Sequence, residues 1–133
     1  MSSATAPAKP AAAVKVTGID VHTYLVKDPQ RAIAFYRDAI GLPVTWQSEQ
    51  GAEFQLSDGS TFGVWKMHDG TWHLGSGVMF SVPDLVAAEK HYRSRGVKML
   101  DDEIIDTGGC YMLACQDSEG NFFLLHQRKE DAA

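Results

Sequence analysis

The sequence has no surplus of positive charge. Its 133 residues carry 12 Lys and Arg against 17 Asp and Glu, a formal net charge of -5. Nothing in the chain would neutralise a run of phosphates, which argues against a nucleic acid or an anionic membrane surface as partner. The longest like-charge run, Asp101 to Glu103, reads as a solvated strand edge. Cysteine is scarce too. Cys110 and Cys115 are the two present, and their odd spacing within a strand-like stretch points them to opposite sheet faces, so they are not expected to pair. No apolar run reaches membrane-spanning length, and the start of the chain has no secretory hydrophobic segment. A reducing cytoplasm is the simplest setting. Phosphate-binding and dinucleotide glycine patterns are absent, as is any Ser-His-Asp or Cys-His order.

What is present is 44% apolar content, enough for one domain with a core and too little length for two independent ones. Residues 1–15, small and proline-bearing, read as a flexible tail, residues 16–129 as the domain, and 130–133 as a second tail.

Laid against itself, the chain repeats. "YLVKDPQRAIAFYR" from Tyr24 and "FSVPDLVAAEKHYR" from Phe80 superpose at an offset of 56, matching Val26 to Val82, Asp28 to Asp84 and Tyr36 to Tyr92. "DGSTFGVW" and "EGNFFLLH" match in turn, Phe62 to Phe123. Asp28 is a cap followed by Pro29, and Phe35, Tyr36, Ala39 and Ile40 recur at helical spacing until Gly41. Asp84 to Gly96 repeats the plan, with Leu85, Ala88 and Tyr92 on one face and His91 at its flank. "PVTWQSE", "AEFQLS" and "STFGVWKM" follow the first helix as strands; "VKMLDDE", "CYMLACQ" and "NFFLLHQ" follow the second. The class is therefore α+β, with two βαβββ modules, about 16–68 and 74–129. His68, Trp72 and His73 fall in the linker, the histidines read as solvent-exposed and Trp72 as a cover for a pocket mouth.

Strand alternation puts His22, Tyr24 and Val26 on one face and Val21, Thr23 and Leu25 on the other. Ala52, Phe54 and Leu56 form the face that helices cover, leaving Glu53 and Gln55 on the opposite one. Met79, Ser81 and Met112 join that second face by the same count.

The capping Asp, the "RAIAFYRDAIGLPV" helix, the duplicated module and the "DSEGNFFLLHQRK" ending together resemble the vicinal oxygen chelate superfamily, the glyoxalase, bleomycin-resistance and extradiol dioxygenase group. The resemblance spans Val16 to Lys129. It implies a curved, incomplete mixed β-barrel around a cavity, with helices outside, and often a homodimer. It also implies, for the enzyme members, a divalent metal held by His and Glu from the first and last strands of each module. By the family's spacing those four positions are Val21, Gly63, Gly77 and Leu124, and none has a metal-binding side chain.

Two functional readings stay open. In the first, the chain binds a small, mostly apolar or aromatic molecule without a metal cofactor. Thr23, Gln55, Trp65, Met79, Met112, Leu124 and His126 would line the site, and His126 and Glu53 would serve as polar anchors or as acid and base. His126, two residues past Leu124, faces either the cavity or the water at its rim; Glu53 likewise. In the second, Zn, Ni, Mn or Fe is held by the unusual set His22, Glu53 and His126, and the chain is a lyase, isomerase or dioxygenase. A metal-free enzyme using His126 or Glu53 as base lies between them.

Overall fold

A computed structural model describes residues 14–129. The first module runs β1 (His22–Leu25), α1 (Pro29–Ala34), a π-helical continuation (Phe35–Ile40), β2 (Trp46–Gln47), β3 (Gly51–Gln55) and β4 (Thr61–Trp65). The second runs β5 (Val78–Ser81), α2 (Leu85–Ser94), β6 (Lys98–Met99), β7 (Ile105–Asp106), β8 (Cys110–Gln116) and β9 (Phe122–Arg128). Each module builds its own mixed sheet, ordered β1-β4-β3-β2 in the first and β5-β9-β8-β6 in the second, with β7 also on β8. The first and last long strands of each module pair in parallel and the rest antiparallel, and among the described residues the strands form no closed barrel.

The helix signals act as the sequence predicts. Asp28 and Asp84 cap α1 and α2 by accepting from the N–H of Arg31 and Ala87, each at 3.1 Å, and Pro29 occupies the first turn of α1, where no N–H partner is needed. Gly41 ends the first helical run at φ +88°, a left-handed conformation that glycine adopts without penalty. The wider π-helical turns before it hold Tyr36 and Ile40 against the core.

One strand departs from expectation. The strand expected over "VKMLDDE" is cut to Lys98–Met99 (β6), with β7 an added short strand beyond it, because Asp101 leaves the ladder. Its side-chain carboxylate, rather than a main-chain oxygen, accepts from the Ala114 N–H at 2.9 Å, while the Leu100 N–H still reaches Ala114 O at 2.8 Å.

The core joins the two sheets. Tyr36 is fully buried and lies 4.8 to 6.3 Å, ring centre to ring centre, from Phe62, Phe54, Phe123 and Phe80, which come from both modules. Such tilted and edge-on pairs add about 0.5–1.5 kcal/mol each beyond simple burial. Buried polar groups fix the docking. Tyr36 Oη donates to Asp117 at 2.6 Å. Tyr24 Oη donates to Phe122 O at 2.6 Å and accepts from the Val78 N–H at 2.9 Å. Asn121, wholly buried, accepts from the Gly75 N–H and donates to Leu25 O. Tyr92 Oη returns the favour, donating to Ile40 O at 3.0 Å. Among the described residues, no helix is long and apolar enough to cross a membrane.

Candidate functional site

The helix-facing sides of both sheets share this core, and among the described residues two regions stand out as places for a ligand. The first is a cleft of about 1050 Å³ between the modules. Its walls are largely apolar: Ile40, Leu42, Leu56 and Phe62 from one module, and Val78, Phe80, Val82, Tyr92 and Leu125 from the other. His22, Gln55, Ser57, Asp58 and Gln127 supply polar groups. β5 is an edge strand of its sheet, so Met79 and Ser81 also reach the cleft. Volume and composition suit a small, mostly apolar molecule.

The second region is the open face of each sheet, opposite the core. Strand registry sets out its rows. In the first sheet, Trp46 opposes Glu53, Glu53 opposes Gly63, and Gly63 is level with Thr23; Trp65 and Gln55 lie on the same face, two residues along. In the second, Ser81, His126, Met112 and Ile105 form one row, and Met79 and Leu124 start the next. Thr23, Gln55, Met79 and Ser81 are exposed, while Glu53, Trp65, Met112, Leu124 and His126 are half-buried.

Of the residues singled out in the sequence, Gln55, Met79 and His22 line the cleft. Thr23, Glu53, Trp65, Met112, Leu124 and His126 stand on the open faces, Glu53 and His126 in different sheets. Neither the Glu53 carboxylate nor the His126 imidazole has a hydrogen-bond or ion-pair partner among the described residues. His22, Glu53 and His126 are not brought together: among the described residues no three His, Cys, Asp or Glu groups are placed to share a metal ion. His68 and His73 are exposed. Trp72 is half-buried, with the Lys27 ammonium 4.4 Å from its ring centre and its own Nε1 unpartnered among the described residues.

The four positions where the family's enzymes place metal ligands can be tested directly. A side chain starting at Gly63 would have its first carbon 3.3 Å from Val21 Cγ1 and 3.4 Å from Thr23 Oγ1, so Val21 and Gly63 do converge on one spot. One brings a methyl group and the other a hydrogen. Gly77 and Leu124 offer nothing better, and a hard or borderline divalent ion needs oxygen or imidazole donors. These residues do not fit a metal. Nor do the thiols supply a nucleophile by default: burial pushes the Cys115 thiol up to about 12, and both cysteines are free.

One residue that the sequence reading passed over is Trp46. Its strand is legible in the sequence but its role is not: it stacks on Trp65 at 6.1 Å and 25° and is 48% exposed. The available signal was one Trp in each of two strands of the first module; their meeting on one face follows from the β2–β3–β4 register.

Comparison with known proteins agrees with this geometry. The family model described as Glyoxalase/Bleomycin resistance protein/Dioxygenase superfamily matches residues 18–125. No curated protein matches the chain. Among solved structures, an antibiotic binding protein from a Streptomyces species superposes with a TM-score of 0.74 at 16% identity, covering 87% of this chain and 99% of that one. A superfamily member from Sphaerobacter thermophilus gives 0.73 at 19%, over 85% and 98%. Lactoylglutathione lyase from Agrobacterium tumefaciens gives 0.69 at 16%, over 84% and 94%. At such identities the likeness speaks for the fold, and the match of the family model over most of the sequence carries the rest: the chain belongs to the Glyoxalase/Bleomycin resistance protein/Dioxygenase superfamily.

Proposed function

We propose that this protein binds a small, mostly apolar or aromatic molecule in the cleft between its modules, without a metal at the positions used by the family's enzymes. The observation that carries this reading is the cleft itself, about 1050 Å³ with apolar walls and a few polar groups, of which His22, Gln55 and Gln127 can orient a ligand. The donor set supports it: Val21, Gly63, Gly77 and Leu124 cannot compensate the charge of a divalent ion, and no change around them would replace missing ligands. A superposable antibiotic binding protein is in keeping with a binding role. We also infer a twofold homodimer, because both sheets keep free edges and Val14, Val16 and Ile19, just before β1, are 75 to 91% exposed.

The test is a titration of the whole chain with anilinonaphthalene sulfonate as an aromatic probe, beside calorimetry with Zn, Ni, Mn and Fe(II) and sedimentation to count subunits. Ser81 is exposed and lines the cleft, so Ser81→Trp should obstruct the cleft without touching the core. One saturable dye site, weakened by Ser81→Trp, with no stoichiometric metal uptake, is the expected result. Stoichiometric metal binding, or dye binding indifferent to Ser81→Trp, would sink the reading.

A further inference from the structure

A separate hollow lies on the helical side of the molecule and shares no lining residue with the cleft or with the open sheet faces. It holds about 570 Å³ where three segments meet: α1 with its π-helical continuation, the end of α2, and the turn between β8 and β9. Its floor is Ala34, Phe35 and Ala39, all half-buried. Phe35 is held edge-on by Tyr36 at 5.0 Å and by Phe123 at 6.3 Å, and the two alanines beside it are too small to fill the space. π-helical turns are rare and often mark functional sites; this one brings Phe35, Asp38 and Ala39 to the hollow. The charges around it balance except at one point. Arg31 gives Nε and one Nη to Glu119 at 2.6 and 3.1 Å, and the Asp38 carboxylate is taken by Arg37, twice at 2.8 Å. Arg95 pairs with no carboxylate among the described residues. One of its Nη atoms donates to the main-chain oxygen of Asp38 at 2.7 Å, which fixes the guanidinium at the wall while its other N–H groups stay available. The hydroxyls of Ser94 and Ser118 give their protons to His91 O and to Glu119, so Arg95 is the unbalanced donor of the site.

We propose that this hollow is a second binding site, for a small apolar monocarboxylate whose carboxylate lies on Arg95 and whose body lies on the Ala34, Phe35 and Ala39 floor. A guanidinium presents its N–H groups as a planar fork that matches the two oxygens of a carboxylate. One unbalanced positive charge suits a monoanion, and the half-buried floor gains from covering by an apolar chain or ring. A neutral analogue keeps the floor alone, and a cation meets Arg95 as a like charge. Arg95 belongs to the second module and the floor to the first, so the ligand spans the seam and should raise the thermal midpoint of the whole chain by mass action. The site is distinct from the cleft, and either can stand without the other.

The probe is para-trifluoromethylbenzoate, titrated into the whole chain by fluorine NMR and mapped by the backbone amide shifts; the matching benzyl alcohol and benzylamine are the neutral and cationic controls. The expected order of affinity is benzoate, then alcohol, then amine, with the amides of Ala34, Ala39 and Ser118 moving and those of Met79 and Ser81 staying in place. Arg95→Met should weaken the benzoate about five- to tenfold and leave the alcohol within about twofold. Arg95→Lys keeps the charge and loses the fork, and its affinity should fall between the two. Arg95 is exposed, so both variants should fold, and their thermal midpoints without probe check this. The benzoate should raise the midpoint of the wild-type chain and not that of Arg95→Met. Ser81→Trp should leave the benzoate unchanged, which separates this site from the cleft: dye binding lost with benzoate binding retained keeps the hollow, and the reverse keeps the cleft. Equal affinity for the three probes, indifference to Arg95→Met, or amide shifts confined to the cleft or the open sheet faces would each overturn the proposal.

Discussion

The turn between β3 and β4 and the turn between β8 and β9 share one backbone and do different work. Leu56 N–H bonds to Ser60 O and Gly59 N–H returns to Leu56 O; Asp117 N–H bonds to Asn121 O and Gly120 N–H returns to Asp117 O. Gly59 and Gly120 sit at φ +89° and +88°. The first turn stays in water. Asp58 accepts from the N–H and the hydroxyl of Ser60, and these bonds hold its carboxyl below the usual range. The second turn is driven into the seam between the modules. Asp117 accepts from Tyr36 and from the N–H groups of Glu119 and Asn121, and burial nonetheless raises its carboxyl above the ordinary value of 3.8. Glu119, its side chain 1% exposed, holds Arg31 of the first module at 2.6 Å. The difference lies in side chains alone: Leu56 and Ser60 in one turn, Asp117 and Asn121 in the other. Equal backbones therefore do not imply equal roles, and the duplicated module has made only its second turn a clasp.

The sharpest way to break that contrast is Asn121→Ala, which leaves the Gly75 N–H and Leu25 O without their partners. Urea unfolding should show a loss of about 2–3 kcal/mol, the cost of stranding buried polar groups, whereas Ser60→Ala in the equivalent place should leave the midpoint nearly unmoved. Tyr36→Phe keeps the aromatic packing and removes one donor from Asp117, and a loss of about 1–2 kcal/mol is expected in the same assay. Asp117→Asn sharpens the comparison through pH. A carboxyl whose folded value is raised gives stability that is fully present below 3.8 and lost as pH rises through the folded value. Wild type should therefore exceed the variant by more at pH near 3 than at pH near 7. A difference that grows with pH would contradict the burial of Asp117. The smallest effect belongs to Asp58→Asn, where the lowered value has the opposite sign: any stability it supplies is present above 3.8 and fades on acidification, and a melting curve at neutral pH should shift only slightly.

Much of this architecture could be read from the chain. The 56-residue repeat, the capping Asp28 and Asp84, Pro29 and the closing Gly41 are local signals, each with one physical meaning. Alternation also sets Tyr24 and Phe54 on one side of their strands and Thr23, Glu53 and Gln55 on the other, because a strand's side-chain period is fixed, and the first set is the one buried in the core. What alternation cannot give is how two sheets dock. The seam depends on single buried groups, Asn121, Asp117 and Tyr24, with partners 46 to 98 residues away, and no periodicity announces such pairs. Alternation sets Trp65 and His126 on sheet faces and the register agrees, whereas the nearness of Trp46 to Trp65 follows only from the order and register of β2, β3 and β4.

The seam also bears on how such a chain can be divided. Separated at the linker, each half would carry polar groups shaped for the other: Tyr36 and the Leu25 carbonyl on one side, Asp117 and Asn121 on the other. Neither half is then a miniature of the whole, despite the repeat; they are complementary fragments. A cut between His68 and Asp69, in a segment outside both sheets and before the Gly75 contact, leaves every one of those interactions intact for reassembly. The two pieces should then regain their structure only when mixed, an outcome that circular dichroism of each piece alone and of the mixture would check.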